Sequence, residues 1–184
     1  MSYDFRLFRP KAGEDPLVTA RQDSEDFPDS PPDKQKEAQK RQVAEALIAH
    51  NPNLEVFQFG YDEIAELEKI SPSEARLKYR HLELNGPEDG NGIQITLFDD
   101  EASVTVPYWH EGEKASDTFS EIWGYLEIIH REAGYLVYDP QLDRLLDTPA
   151  DYDAALARYT GVVRKLRKAT SSTDTKKKPW WKFW

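Results

Sequence analysis

The sequence predicts an α+β domain, a mostly antiparallel sheet with two or three helices packed on one face. Three observations lead there. The N-terminus alternates apolar and polar residues, three central segments rich in β-branched and aromatic residues are joined by turn chemistry, and two later stretches carry apolar residues at helical spacing.

Composition sets the bounds. A chain of 184 residues is long enough for one domain with a core, and 39% hydrophobic content leaves room for polar extensions. No run approaches the ~18 apolar residues of a spanning helix, and the N-terminus has no charged segment leading into an apolar one, so the expectation is a cytoplasmic chain. With no cysteine, disulfides, thiolate nucleophiles and cysteine-based metal sites are excluded. Net charge is −10, unevenly divided: residues 164–184 hold eight Lys and Arg against Asp174 alone, or +7, which leaves −17 on residues 1–163. A body that acidic repels nucleic acid and attracts basic protein partners.

In chain order, Tyr3, Phe5 and Leu7 alternate with polar neighbours and make residues 1–10 a half-buried strand of the domain, closed by Pro10. Residues 11–33 carry Pro16, Pro28, Pro31, Pro32 and many acids with few large apolar groups, the composition of a disordered linker. The domain proper spans 34–169. Its first helix starts near Asp33, shows Val43, Leu47 and Ile48 on one side and stops at Asn51-Pro52. Residues 54–59 read as a short strand, 62–70 as a short helix, and Ser71-Pro72-Ser73-Glu74 as a helix start or turn. Strands over 77–84, 93–98 and 103–109 then form an antiparallel meander. A helix over 116–133 begins with Ser116 or Asp117 as cap and Thr118 with Glu121 as capping box, buries Phe119, Ile122, Trp123, Leu126 and Ile129, and ends at Gly134. A hairpin turns at Asp139-Pro140-Gln141, and a last helix over 149–168 starts with Thr148, Pro149 and Asp151 and buries Tyr152, Leu156, Tyr159 and Val163. Residues 170–184 are a polar tether followed by a basic-aromatic tail.

Few residues suggest chemistry. The histidines at 50, 81, 110 and 130 have no metal-binding i, i+4 spacing. His110 beside Glu111 and His130 beside Glu132 resemble a tuned base, but as exposed residues at element ends they need no such role. The loop over 85–92 offers Glu88, Asp89 and Asn91 as oxygen donors. It lacks calcium-loop spacing, so turn geometry and partner recognition are the main readings, and an oxygen-ligand metal enzyme is a distant alternative. Tyr108 and Trp109 end a strand as either core or interface rings. No nucleophile elbow or phosphate-binding glycine loop occurs, so no catalytic residues and no cofactor are expected.

The tail differs in kind. Trp180, Trp181, Phe183 and Trp184 follow Lys176, Lys177 and Lys178 and flank Lys182, so three of the five tryptophans lie in the last five residues. Tryptophan favours the lipid headgroup region and each lysine near an anionic leaflet contributes about 1 kcal/mol, enough for reversible attachment to a membrane. A partner's pocket and the chain's own acidic body are the other docking surfaces.

Three segments carry a resemblance: the Ser2-Tyr3-Asp4 opening, ELNGPEDGNGIQI over 83–95 and GYLVYDPQ over 134–141. With these the body, though not the tail, resembles a set of small, largely uncharacterised bacterial α+β proteins. Similar small folds include immunity proteins that neutralise toxins, and the resemblance brings no catalytic residues. The resulting expectation is a non-enzymatic bacterial interaction protein, immunity-type or adaptor, binding a basic protein. The alternative is a peripheral membrane protein held at the inner membrane by its tail.

Overall fold

A computed structural model describes residues 2–22, 31–86 and 90–174. The strands β1 (Ser2–Phe8), β2 (Glu55–Val56), β3 (Leu82–Asn85), β4 (Gln94–Leu97), β5 (Glu101–Pro107), β6 (Leu136–Asp139) and β7 (Arg144–Leu146) form one sheet in the order β2-β3-β4-β5-β1-β6-β7. Every adjacent pair is antiparallel. Six helices accompany it among the described residues: α1 (Pro16–Arg21), α2 (Lys34–His50), α3 (Tyr61–Glu68), α4 (Pro72–Lys78), α5 (Gly112–Ala133) and α6 (Thr148–Asp174).

The alternation of β1 does what period two requires: Tyr3, Phe5 and Leu7 are buried in the main core while Asp4 and Arg6 turn away from it. Pairing runs from Ser2 opposite Pro107 to Phe8 opposite Glu101 on one side, and from Arg6 opposite Tyr138 to Phe8 opposite Leu136 on the other. The N-terminal strand is therefore central. The core it enters collects Val43 and Leu47 of α2, Phe119, Ile122, Leu126 and Ile129 of α5, and Ala155, Tyr159 and Val163 of α6. Rings dominate one end of it, with Tyr3 5.8 Å from Tyr159 and Phe119 5.4 Å from Tyr159 between centroids. Two phenols there find acceptors: Tyr3 donates to Asp139 Oδ2 at 2.5 Å and Tyr159 to the Pro107 carbonyl at 3.0 Å.

Four boundaries differ from expectation. Within the segment read as disordered, Pro16–Arg21 is helical: Asp15 caps it through Leu17 N at 2.9 Å, Arg6 donates to the Ala20 carbonyl at 3.0 Å, and Ala20 is buried with Phe8 and Tyr138. Arg6, from a strand the local composition does not include, supplies the missing anchor. Leu77 and Lys78 end α4 rather than open a strand, because the Ser71–Glu74 capping box and Pro72 start a helix that outlasts local β-propensity. Helix α5 begins at Gly112, ahead of the Ser116 or Asp117 caps, with Glu111 at its N-cap making no side-chain capping bond. Backbone helix continues through Asp174 where a tether is expected at 170, since no glycine or proline stops it there.

One ionic group is locked under the β4–β5 turn. Lys40, 3% exposed, reaches Asp99 Oδ1 at 2.9 Å and the Arg80 carbonyl at 3.0 Å, and Arg80 meets Asp99 Oδ2 at 2.5 Å. Desolvation alone would raise the Asp99 pKa, but the Arg80 and Lys40 bonds outweigh it and hold the carboxyl below its ordinary value. An unfolded chain then binds more protons at this site than the folded one. Its stabilisation is present above the ordinary aspartate range and is lost as pH falls through the lowered folded value. Asp99→Ala removes the carboxylate that Lys40 and Arg80 share, leaving Lys40 with Glu37 at 2.7 Å, and is expected to destabilise by about 1–3 kcal/mol in urea unfolding at neutral pH. The same comparison at pH 3 is expected to give a smaller difference.

Candidate functional site

The 85–92 loop joins β3 to β4, and of its residues Asn85, Gly86, Gly90, Asn91 and Gly92 are described; Glu88 and Asp89 lie outside the described residues. Asn91 does three things at once. Its Oδ1 accepts from Ile93 N at 3.1 Å, its Nδ2 donates to Glu121 Oε2 at 2.6 Å, and its carbonyl accepts from His110 Nε2 at 2.5 Å. Glu121 is the hub of this clamp, because its Oε1 also accepts from Asn51 Nδ2 at 2.8 Å and from Tyr125 Oη at 2.5 Å. Burial pushes the Tyr125 phenol pKa up, and the bond to Glu121 adds to the rise. Glu121 sits inside α5 rather than in its first turn, so it ties helix, loop and the α2–β2 turn together in place of a capping box. His110, expected at the surface, is 3% exposed because it fills the space under Asn91.

Beside the clamp stands Trp109, 66% exposed. Gly92 lies against its ring with φ +69°, and a Cβ there would come within 2.5 Å of Trp109 Cζ2 and 3.0 Å of Pro107 Cγ. Only glycine both adopts this backbone and admits the ring so closely. The structure thus brings Asn91 and Trp109 together and separates Tyr108 from them. Tyr108 stacks on Tyr159 at 5.7 Å and lies 6.0 Å from Tyr3, in phase with the buried Ala102, Val104 and Val106 of β5. It packs against the core. Lys176, Lys177, Lys178, Trp180, Trp181, Lys182, Phe183 and Trp184 lie outside the described residues. Among the described residues, no group of three or more His, Asp or Glu is arranged to hold a metal ion, and no helix is long and apolar enough to cross a membrane.

A second aromatic surface escaped the sequence reading. Phe57, 49% exposed, lies 5.0 Å from Phe59, which lies 4.8 Å from His81, itself 5.2 Å from Phe98, across neighbouring ends of β2, β3 and β4. The signal is the i, i+2 spacing of Phe57 and Phe59, which puts both rings on one side of the segment ahead of α3.

No family model, no curated protein and no solved structure matches this chain.

Gly92→Ala tests the clamp. It is expected to destabilise by about 1–3 kcal/mol in denaturant unfolding, through the positive φ and the clash with Trp109, and to change Trp109 emission in the folded state.

Proposed function

We propose that this chain is a non-enzymatic bacterial interaction protein, of immunity or adaptor type, whose acidic body takes a basic protein partner around Trp109. The single observation that carries the reading is the exposed Trp109 ring, held against Gly92 next to a loop clamped by Asn91 and Glu121. A large ring costs little conformational entropy to bury in a partner when it is already positioned, and tryptophan is among the residues that dominate interface energies. Glu88 and Asp89 belong to the acidic sequence between β3 and β4, and the −17 of residues 1–163 steers a cationic partner toward the body. In this reading α2, α5 and α6 are the layer packed on one face of the sheet, and they stiffen the platform that presents the ring.

A second role belongs to the tail, favoured by the density of aromatics and lysines over residues 176–184. It holds a cytoplasmic protein reversibly at the inner membrane.

Affinity capture from the bacterial host at low salt is expected to retain a basic protein with the native chain and about tenfold less of it, or worse, with Trp109→Ala. Equal capture by both chains, or no captured protein, contradicts the partner reading. For the tail, sedimentation with anionic but not neutral vesicles is expected, and loss of that binding when Trp180, Trp181, Phe183 and Trp184 are all changed to alanine. Unchanged sedimentation contradicts it.

A further inference from the structure

Helices α5 and α6 run antiparallel, with Phe119 against Tyr152 at 5.9 Å and, toward the other end, Glu111 paired with Arg167 at 2.8 Å. At that end an open groove of about 410 Å³ lies between them. Ala115, Leu156, Ala157 and Val163 supply its apolar lining, and Glu111, Asp153, Arg164 and Arg167 its charged part. We infer that this groove is the docking site for the chain's own C-terminal aromatics, Trp180, Trp181, Phe183 and Trp184.

Chain length favours this occupant. Backbone helix ends at Asp174 and ten residues follow. At a rise of about 1.5 Å per residue, Arg167 to Leu156 lie about 10 to 27 Å back along the α6 axis from that end. A reversal using about three residues leaves about seven, which span about 23 Å when extended. Trp180 then returns level with Arg167, and Trp184 level with Tyr159. The aromatic segment thus matches the lined stretch of α6 in reach.

Chemistry agrees with geometry. Indole and phenyl rings are the groups whose exposure to water an apolar groove relieves most, and a volume of about 410 Å³ accommodates one or two of them. Arg164 and Arg167 can lie over indole faces, and Glu111 and Asp153 offer countercharge to Lys182. A tether this short holds the rings at about millimolar local concentration, so a weak groove is occupied in the resting chain. Vesicle capture of the same rings would empty it, which makes docking without lipid and binding with lipid separate measurements.

The test compares amide spectra of two full-length chains without lipid, the native one and one with Trp180, Trp181, Phe183 and Trp184 changed to alanine. Shifts are expected at Ala115, Ser116, Ala157, Thr160 and Val163, unchanged on tenfold dilution. Ala157→Gln, which fills the groove from an exposed position, is expected to abolish the difference between native and alanine tails while leaving the fold's dispersion intact. Shifts confined to residues 168–174, shifts centred on another surface, shifts that fade on dilution through docking between chains, or a difference that survives Ala157→Gln would overturn the inference.

Discussion

The position of β1 is the constraint on which the rest depends. It is the strand between β5 and β6, so the meander β2 to β5 and the hairpin β6–β7 belong to one sheet only through it. Tyr3 fastens the join. Its hydroxyl meets Asp139, whose other oxygen, Oδ1, accepts from Gln141 N at 2.8 Å and Leu142 N at 3.1 Å and so shapes the hairpin turn. Asp139 is fully buried; burial raises its pKa, and the Tyr3 bond and the two backbone donors oppose the rise. Each of those donors matters because a buried carboxylate left short of partners costs more than a neutral group would. The same Tyr3 ring touches Phe5, Tyr108, Phe119 and Tyr159, so strand, helix and hairpin converge on one side chain.

From that join the candidate docking surfaces inherit their rigidity. Seven paired positions with β1 fix β5 along its length, and Trp109 leaves the end of β5 two residues past Pro107. Helix α5, packed over the centre of the sheet, carries Glu111 to one groove and Glu121 to the loop clamp, so the two candidate docking places share one stiff element. The α3–α4 pair is built otherwise. Its buried residues are only Ala65 and Ala75, and Lys78 and Tyr79 are tied to Glu68, so it holds largely to itself at the sheet edge. Little apolar burial there means a lower cost of local opening.

Local signals were legible in the sequence; distant ones were not. Alternation located β1, and β-branched and aromatic runs located β4, β5 and β6, because those patterns report which face a residue turns to the core. Nothing in residues 1–10 states which strands flank β1, since pairing is decided by the whole sheet. Helix α1 was missed because Arg6 and Phe8, far from it in composition, supply its contacts. Lys40 was readable in hindsight, three residues before Val43 and seven before Leu47 on the buried stripe, but its partners Asp99 and Arg80 come from distant turns. In the candidate site, extending the in-and-out phase of Ala102, Val104 and Val106 would have sent Tyr108 inward and Trp109 outward. Of the donors to Glu121 only Tyr125, one helical turn on, is local; Asn91 and Asn51, which make it a clamp, sit thirty and seventy residues away.

Native-state hydrogen exchange of the full chain tests the central role of β1 most directly. The account predicts that amides of β1, β5 and β6 exchange with one common free energy equal to that of global unfolding, while α3 and α4 exchange faster. Protection of the β6–β7 hairpin that is lost well below the global value, with β5 still protected, would contradict it.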